Sequence, residues 1–230
     1  MDVYRYLQQR TKFVLEYYDT AAPAFIERKC QIEAGEEPYK TPSWYDDDEP
    51  MFLQDWLDAD LGLDVLGRSC VSIVSDSLKL YFQTWEKNLG LKWRSKTAEK
   101  KCFEDGYLNG YRKAFTEVFN FPWERCPADF AILEQATLAR NRTHHPDEIT
   151  SMDVDHDGPF LEKHPRPFFV EPDQKLTRDN MTDLFTIATI KVTRDHLVEV
   201  IRQTDLLCGW LEERLFDGYY GRYDRSKDVE

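Results

Sequence analysis

The stretch that decides the fold is Met51–Leu89, MFLQDWLDADLGLDVLGRSCVSIVSDSLKLYFQTWEKNL. Its apolar residues Phe52, Trp56, Leu61, Leu66, Val71, Val74, Leu78, Tyr81, Phe82 and Trp85 recur mostly at steps of three to five. That spacing gathers side chains on one face of an α-helix and turns the polar residues outward. A run this long predicts a helix, with Gly62 or Gly67 as the points where it would divide.

The same periodicity continues on either side. Upstream, Tyr6, Phe13, Tyr17, Phe25 and Ile32 predict a helix from Val3 to about Ala34, broken or kinked near Pro23. The intervening segment, about 35–50, carries three prolines and the acidic run Asp46-Asp47-Asp48-Glu49, and reads as a solvated loop. Beyond Gly90, a basic connector (Lys92, Arg94, Lys96, Lys100, Lys101, with Trp93 inside it) leads to a shorter helix around Leu108–Phe119, stopped by Pro122. A further helix is expected to start at Pro127, with Asp129 and Glu134 at the positive end of its dipole, and to run through Phe130, Leu133, Leu138 and Ala139.

Residues 147–183 are polar and rich in Pro and Asp. A strand at Pro167–Val170 is expected to pair with Leu184–Val192 as a small β-hairpin. Thr193 is placed to cap a last helix carrying the stripe Leu197, Val200, Ile201, Thr204, Leu207, Cys208, Leu211 and Leu215, and a loose tail is expected over about 217–230. The expected fold is thus mainly α: one helical domain over 1–230, with an irregular insert over about 147–192.

Composition narrows the function classes. Of 230 residues, 41% are hydrophobic and 14% aromatic, enough for a substantial core, which argues against disorder throughout. Five cysteines, widely spaced and without a CxxC pair, read as reduced thiols, mostly buried, and no Cys/His cluster has zinc-ligand spacing. No secretory leader is visible and no window approaches the ~18 apolar residues of a membrane span, so a cytoplasmic protein is expected. A formal net charge of -13 argues against broad binding to nucleic acid or anionic membranes, although one local basic cluster suffices for phosphate recognition.

One motif carries chemistry: Arg140-Asn141-Arg142-Thr143-His144-His145-Pro146, at the end of the helix from Pro127. Helical spacing sets Arg140 over His144 and Asn141 over His145, so a guanidinium, an amide and two imidazoles share adjacent stripes. Pro146 disfavours helix at His145, where the chain should leave it. Cleaving RNA without a metal needs a base for the ribose 2′-hydroxyl, an acid for the departing 5′-oxygen, and positive charge on the phosphate. Histidine serves either proton role near neutral pH, and Arg matches phosphate oxygens with its fork of N–H donors. The same residues also suit a plain helix C-terminus, where the dipole favours cations whatever the function.

Arg140-Asn141, three residues, then His145 resembles the Arg-polar-x3-His signature of the HEPN superfamily, the higher eukaryote and prokaryote nucleotide-binding proteins. The resemblance implies a HEPN-like antiparallel helical bundle and a metal-independent endoribonuclease needing no cofactor. It implies a homodimer that brings two motifs into one cleft, in a toxin paired with an antitoxin or in a phage-defence effector. Carried over, Arg140 stabilises the phosphate, Asn141 positions it, and His145 moves the proton. His144 stands beside it as the alternative. Arg142, Lys92 and Arg94 are candidate substrate contacts, and Glu134 is a candidate support for the site. A HEPN-like module that binds RNA, nucleotide or a protein partner without cutting is the other reading, and a purely structural helical protein a third.

Asp153-Val154-Asp155-His156-Asp157-Gly158 matches the first half of a calcium loop, but the twelfth position is His164 rather than a bidentate Glu, so a solvated acidic turn is expected instead. His156, His164 and His196 are scattered, and read as surface or packing residues.

Overall fold

Apolar periodicity is realised as seven α-helices among the described residues of a computed structural model, which covers 2–46, 48–145, 152, 154–156, 158–170 and 189–217, with the helical backbone of 218–227. They are α1 (Val3–Ala34), α2 (Leu53–Asn88), α3 (Lys96–Cys102), α4 (Tyr107–Phe119), α5 (Phe130–His144), α6 (Gly158–Lys163) and α7 (Arg194–Lys227). A single 3-10 turn spans Trp123–Arg125. The protein is mainly helical. Among the described residues no helix is long and apolar enough to cross a membrane.

The chain packs as two compact units. The first comprises Met1–Lys12, Ile73–Thr137 and Glu199–Glu230; the second comprises Phe13–Ser72 and Leu138–Val198. In the first, the aromatic residues predicted for the α2 stripe meet those of α4: Phe82 stacks on Tyr111 with centroids 5.0 Å apart and lies 6.0 Å from Phe115. Leu78, Trp85, Leu133, Leu207 and Leu211 complete this core. Several of its polar groups are paired across the core. Tyr81 Oη and Trp85 Nε1 donate to Glu212 Oε2 at 2.8 and 3.0 Å, and Tyr4 Oη donates to Asp205 Oδ1 at 2.7 Å.

The second unit buries Val14, Tyr18, Ala59, Leu66, Val71, Phe169, Ile190, Val192 and Leu197. It also holds a half-buried ionic chain: Lys29 pairs with Asp60, and Lys191 with both Asp60 and Asp64. Arg194 grips Asp19 with two bonds, at 2.7 and 2.9 Å. Neither Gly62 nor Gly67 divides α2. Gly67 is there for space, since a Cβ would fall 2.3 Å from the Val192 carbonyl oxygen. Likewise α1 runs through Pro23, the unmade ladder bond being absorbed by a long helix anchored on both sides of it.

Other boundaries differ from the sequence reading for local reasons. Helix α5 begins at Phe130, not Pro127, because Asp129 is the cap: its Oδ1 accepts from Ala131 N at 2.8 Å and Ile132 N at 3.4 Å. Asp129 N in turn donates to Gln203 Oε1 at 2.6 Å. Replacing Asp129 by Ala should cost about 1 kcal/mol, read as a lower midpoint in urea, with Asp129→Asn recovering most of it. Thr193 caps α7 as expected, its Oγ1 accepting from His196 N at 3.3 Å.

Part of the connector expected to be irregular forms α3, where Ser95 caps Ala98 N at 3.1 Å. The tail expected to be loose from Asp217 is helical as far as Lys227, since extending an existing helix is cheaper than nucleating one. The expected strand at Pro167–Val170 does not form. Phe169 is buried, and its carbonyl accepts from His156 Nε2 at 3.2 Å and Lys191 N at 3.2 Å, in place of a regular ladder. The described residues contain one isolated antiparallel bridge, Asp155 to Thr189. Of the expected hairpin partner, 184–192, residues 184–188 lie outside the described residues, and 189–192 form no strand. All five cysteines are free: Cys70 and Cys208 are buried, Cys102 and Cys126 half-buried, and Cys30 exposed.

Candidate active site

The motif occupies the last turn of α5, as its spacing predicts. Helix geometry ends at His144, and His145 closes the turn by donating its backbone N–H to the Asn141 carbonyl at 3.0 Å and the Arg142 carbonyl at 3.3 Å. Thr143 ties its hydroxyl back to the Ala139 carbonyl at 2.9 Å. The main chain under the motif is therefore well held.

Its side chains divide between solvent and interior. Asn141, His144 and His145 are exposed, while Arg140 and Arg142 are half-buried. Arg140 Nη1 donates to Asn141 Oδ1 at 3.1 Å, which joins the guanidinium and the amide into one donor surface. Neither imidazole has a side-chain partner among the described residues, so both present their ring nitrogens to water. Positive charge beside two accessible imidazoles at a helix C-terminus is an arrangement able to hold a phosphate and move a proton. The dipole there also favours any cation, and that fact alone distinguishes no function.

Arg142 is placed differently. With Leu138, Ala139, Asp155, His156, Phe160 and Ile190 it lines a small cavity of about 40 Å³ beneath the turn. His156 is buried there, stacked on Phe160 with centroids 4.4 Å apart and planes 13° apart, and Phe160 in turn lies 5.0 Å from His164. Sequence reading set these histidines aside as scattered. The signal that could have found them is their step of four, His156-Phe160-His164, with Phe160 between two imidazoles, although only Phe160 lies within α6.

Of the remaining sequence candidates, Glu134 is half-buried on the part of α5 that belongs to the first unit. Lys92 and Arg94 also belong to the first unit and are exposed on the connector before α3. In the calcium-like segment Asp155 accepts from Thr189 Oγ1 at 3.3 Å, and Gly158 opens α6. Asp153 and Asp157 lie outside the described residues.

Burial lowers the pKa of His156 below its ordinary value, and Arg142 nearby lowers it further, while the bond to Phe169 and the Asp155 charge oppose this. Burial lowers His196 as well; its ring packs against Phe168 at 4.9 Å, and its Nδ1 lies 3.2 Å from the Lys191 carbonyl oxygen. For a histidine depressed in the folded state, the unfolded chain takes up the proton first as pH falls. Stability from these two groups is therefore complete above about pH 6.5 and declines as pH drops through that value. Thermal unfolding measured from pH 8 to 5 should show that decline, and His156→Gln should make it shallower, leaving the His196 part.

Comparison with models of known protein families, with curated proteins and with solved structures returned no match to this chain.

Proposed function

We propose that the chain is a metal-independent endoribonuclease of HEPN type, with a HEPN-like helical bundle, acting as a toxin or phage-defence effector and working as a homodimer. What supports this reading is the Arg140-Asn141 pair, bonded side chain to side chain, with His144 and His145 exposed on the same helical turn. In the proposed reaction one imidazole takes the 2′-hydroxyl proton, the 2′-oxygen attacks phosphorus, and the phosphorus to 5′-oxygen bond breaks. The departing oxygen is protonated by the conjugate acid, leaving a 2′,3′-cyclic phosphate and a 5′-hydroxyl. Arg140 meets the charge on the pentavalent phosphorus and Asn141 orients it. His145 is the first choice for proton transfer because it stands five residues after Arg140 and just beyond the helix. Arg142, two residues after Arg140, is a further candidate substrate contact.

Single-stranded RNA incubated with the purified chain in buffer containing a chelator tests the activity, cleavage being the expected result. A second reading has its own support: the net charge of -13 suits a HEPN-like module that meets a basic protein partner without cutting. Binding of a basic protein with no cleavage of RNA under any condition would select that reading over the first.

A further inference from the structure

The connector between α2 and α3 borders a cavity of about 660 Å³ in the first unit, within the range of roughly 300 to 1,000 Å³ that small-molecule sites occupy. One wall is the indole of Trp93, fixed from two directions. Its Nε1 donates to Glu86 Oε1 at 2.7 Å, and its ring meets Phe103 edge to face with centroids 5.2 Å apart. The other oxygen of Glu86 accepts from Tyr111 Oη, so the carboxylate that orients the indole is itself held. A flat apolar surface that is already ordered loses little entropy when a planar ligand settles on it.

The rim supplies charge. Lys92 and Arg94 line the cavity on either side of Trp93 in sequence, both exposed. Among the described residues neither has an ion-pair or hydrogen-bond partner. Carboxylates outnumber cations in this chain, 43 to 30, and some of its lysines are paired with them, Lys113 with Asp105 and Lys29 with Asp60. What distinguishes Lys92 and Arg94 is their place, two cations on the rim of one cavity. Glu117, from α4, is the acidic residue of the lining, and Val118 beside it is apolar. The Cys102 thiol is engaged, donating to the Gly110 carbonyl at 3.3 Å.

We propose that this cavity binds a small anion with a flat aromatic body, of the aryl phosphate or aryl carboxylate class. The ring lies along Trp93 and the Val118 side, the anionic group meets Lys92 and Arg94, and Glu117 favours a hydrogen-bond donor at the far end over a second negative charge. The proposal uses residues of one compact unit and holds or fails independently of the ribonuclease reading.

The probe is 1-naphthyl phosphate, titrated by calorimetry and followed at the Trp93 indole N–H resonance, assigned by comparison with Trp93→Phe. The expected result is saturable binding that shifts this resonance. Lys92→Ala with Arg94→Ala weakens it about 10- to 100-fold, as loss of bonds to a charged group does. Ala98→Trp, at an exposed lining position on α3, abolishes it while the protein stays folded by circular dichroism. Inorganic phosphate and 1-naphthol each bind at least about tenfold more weakly, every factor of ten corresponding to one missing 1.4 kcal/mol contribution. Four results would overturn the proposal: no binding up to the solubility limit, equal affinity for inorganic phosphate, indifference to the double variant, or indifference to Ala98→Trp. If an oligoribonucleotide binds through Lys92 and Arg94 while 1-naphthyl phosphate does not, the cations are RNA contacts and the small-molecule site is rejected.

Discussion

His145→Ala should lower RNA cleavage by about 100- to 10,000-fold, the span associated with losing a general acid or base. The chain should remain folded, because His145 is exposed, lies beyond the last residue of α5, and contributes only its backbone N–H to the structure. Arg140→Ala should cost about 100- to 1,000-fold, as removing one donor to a developing oxyanion does. Arg140→Lys should recover only part of this, since an ammonium keeps the charge but not the planar fork. His144→Ala separates the two imidazoles. A small effect leaves His145 in the proton-transfer role, while a loss as deep as that of His145→Ala makes them a pair. A deep loss at His144 with none at His145 moves the role by one residue.

Phe82→Ala should have the largest effect on stability, about 3–5 kcal/mol. The side chain is fully buried, and the rings of Tyr111 and Phe115 surround it at 5.0 and 6.0 Å, so truncation leaves a cavity that neighbouring helices fill only in part. Against a typical total of about 5–15 kcal/mol that is a large share, visible as a much reduced midpoint in urea. Phe82→Leu, which keeps most of the volume, should cost clearly less. Equal midpoints for wild type and Phe82→Ala would mean that the aromatic cluster is not the centre of the first unit.

The long helices were legible because burial imposes a period. The stripe from Phe52 to Trp85 has no reading as a strand, and α1 and α2 begin and end within a few residues of where it places them. Caps were legible where the side chain is a good acceptor and little competes. Thr193 is legible as a cap, whereas Pro127 competes with Asp129 as the start of α5; Asp129 caps through its own carboxylate, and only its added tie to Gln203 is long-range. The strand at Pro167–Val170 was inferred from β-favouring residues. Burial of Phe169 and capture of its carbonyl by His156 and Lys191 are long-range facts that such propensity does not contain.

The candidate site shows the same division. Where the motif sits, and that α5 stops there, followed from the helix period and from Pro146. The placement of Arg142 beside a buried histidine fourteen residues further on is a long-range fact that the helix period does not contain. Lys92 and Arg94 are candidate substrate contacts on their charge and on Trp93 between them, and composition does not say that they belong to the first compact unit. Some of the carboxylates are matched by cations in pairs such as Asp19 with Arg194 and Asp60 with Lys29, while the excess that counts against RNA binding remains. Such pairs neutralise part of the acidity locally.

Chemical identity of the RNA ends is the most direct test of the motif as a catalytic centre. RNA cut by the wild-type chain in chelator should carry 2′,3′-cyclic phosphate and 5′-hydroxyl ends, read by mass spectrometry. The combined variant Arg140→Ala with His145→Ala should yield neither at a measurable rate. Products ending in 5′-phosphate and 3′-hydroxyl, or cleavage by the combined variant as fast as by wild type, would contradict the account.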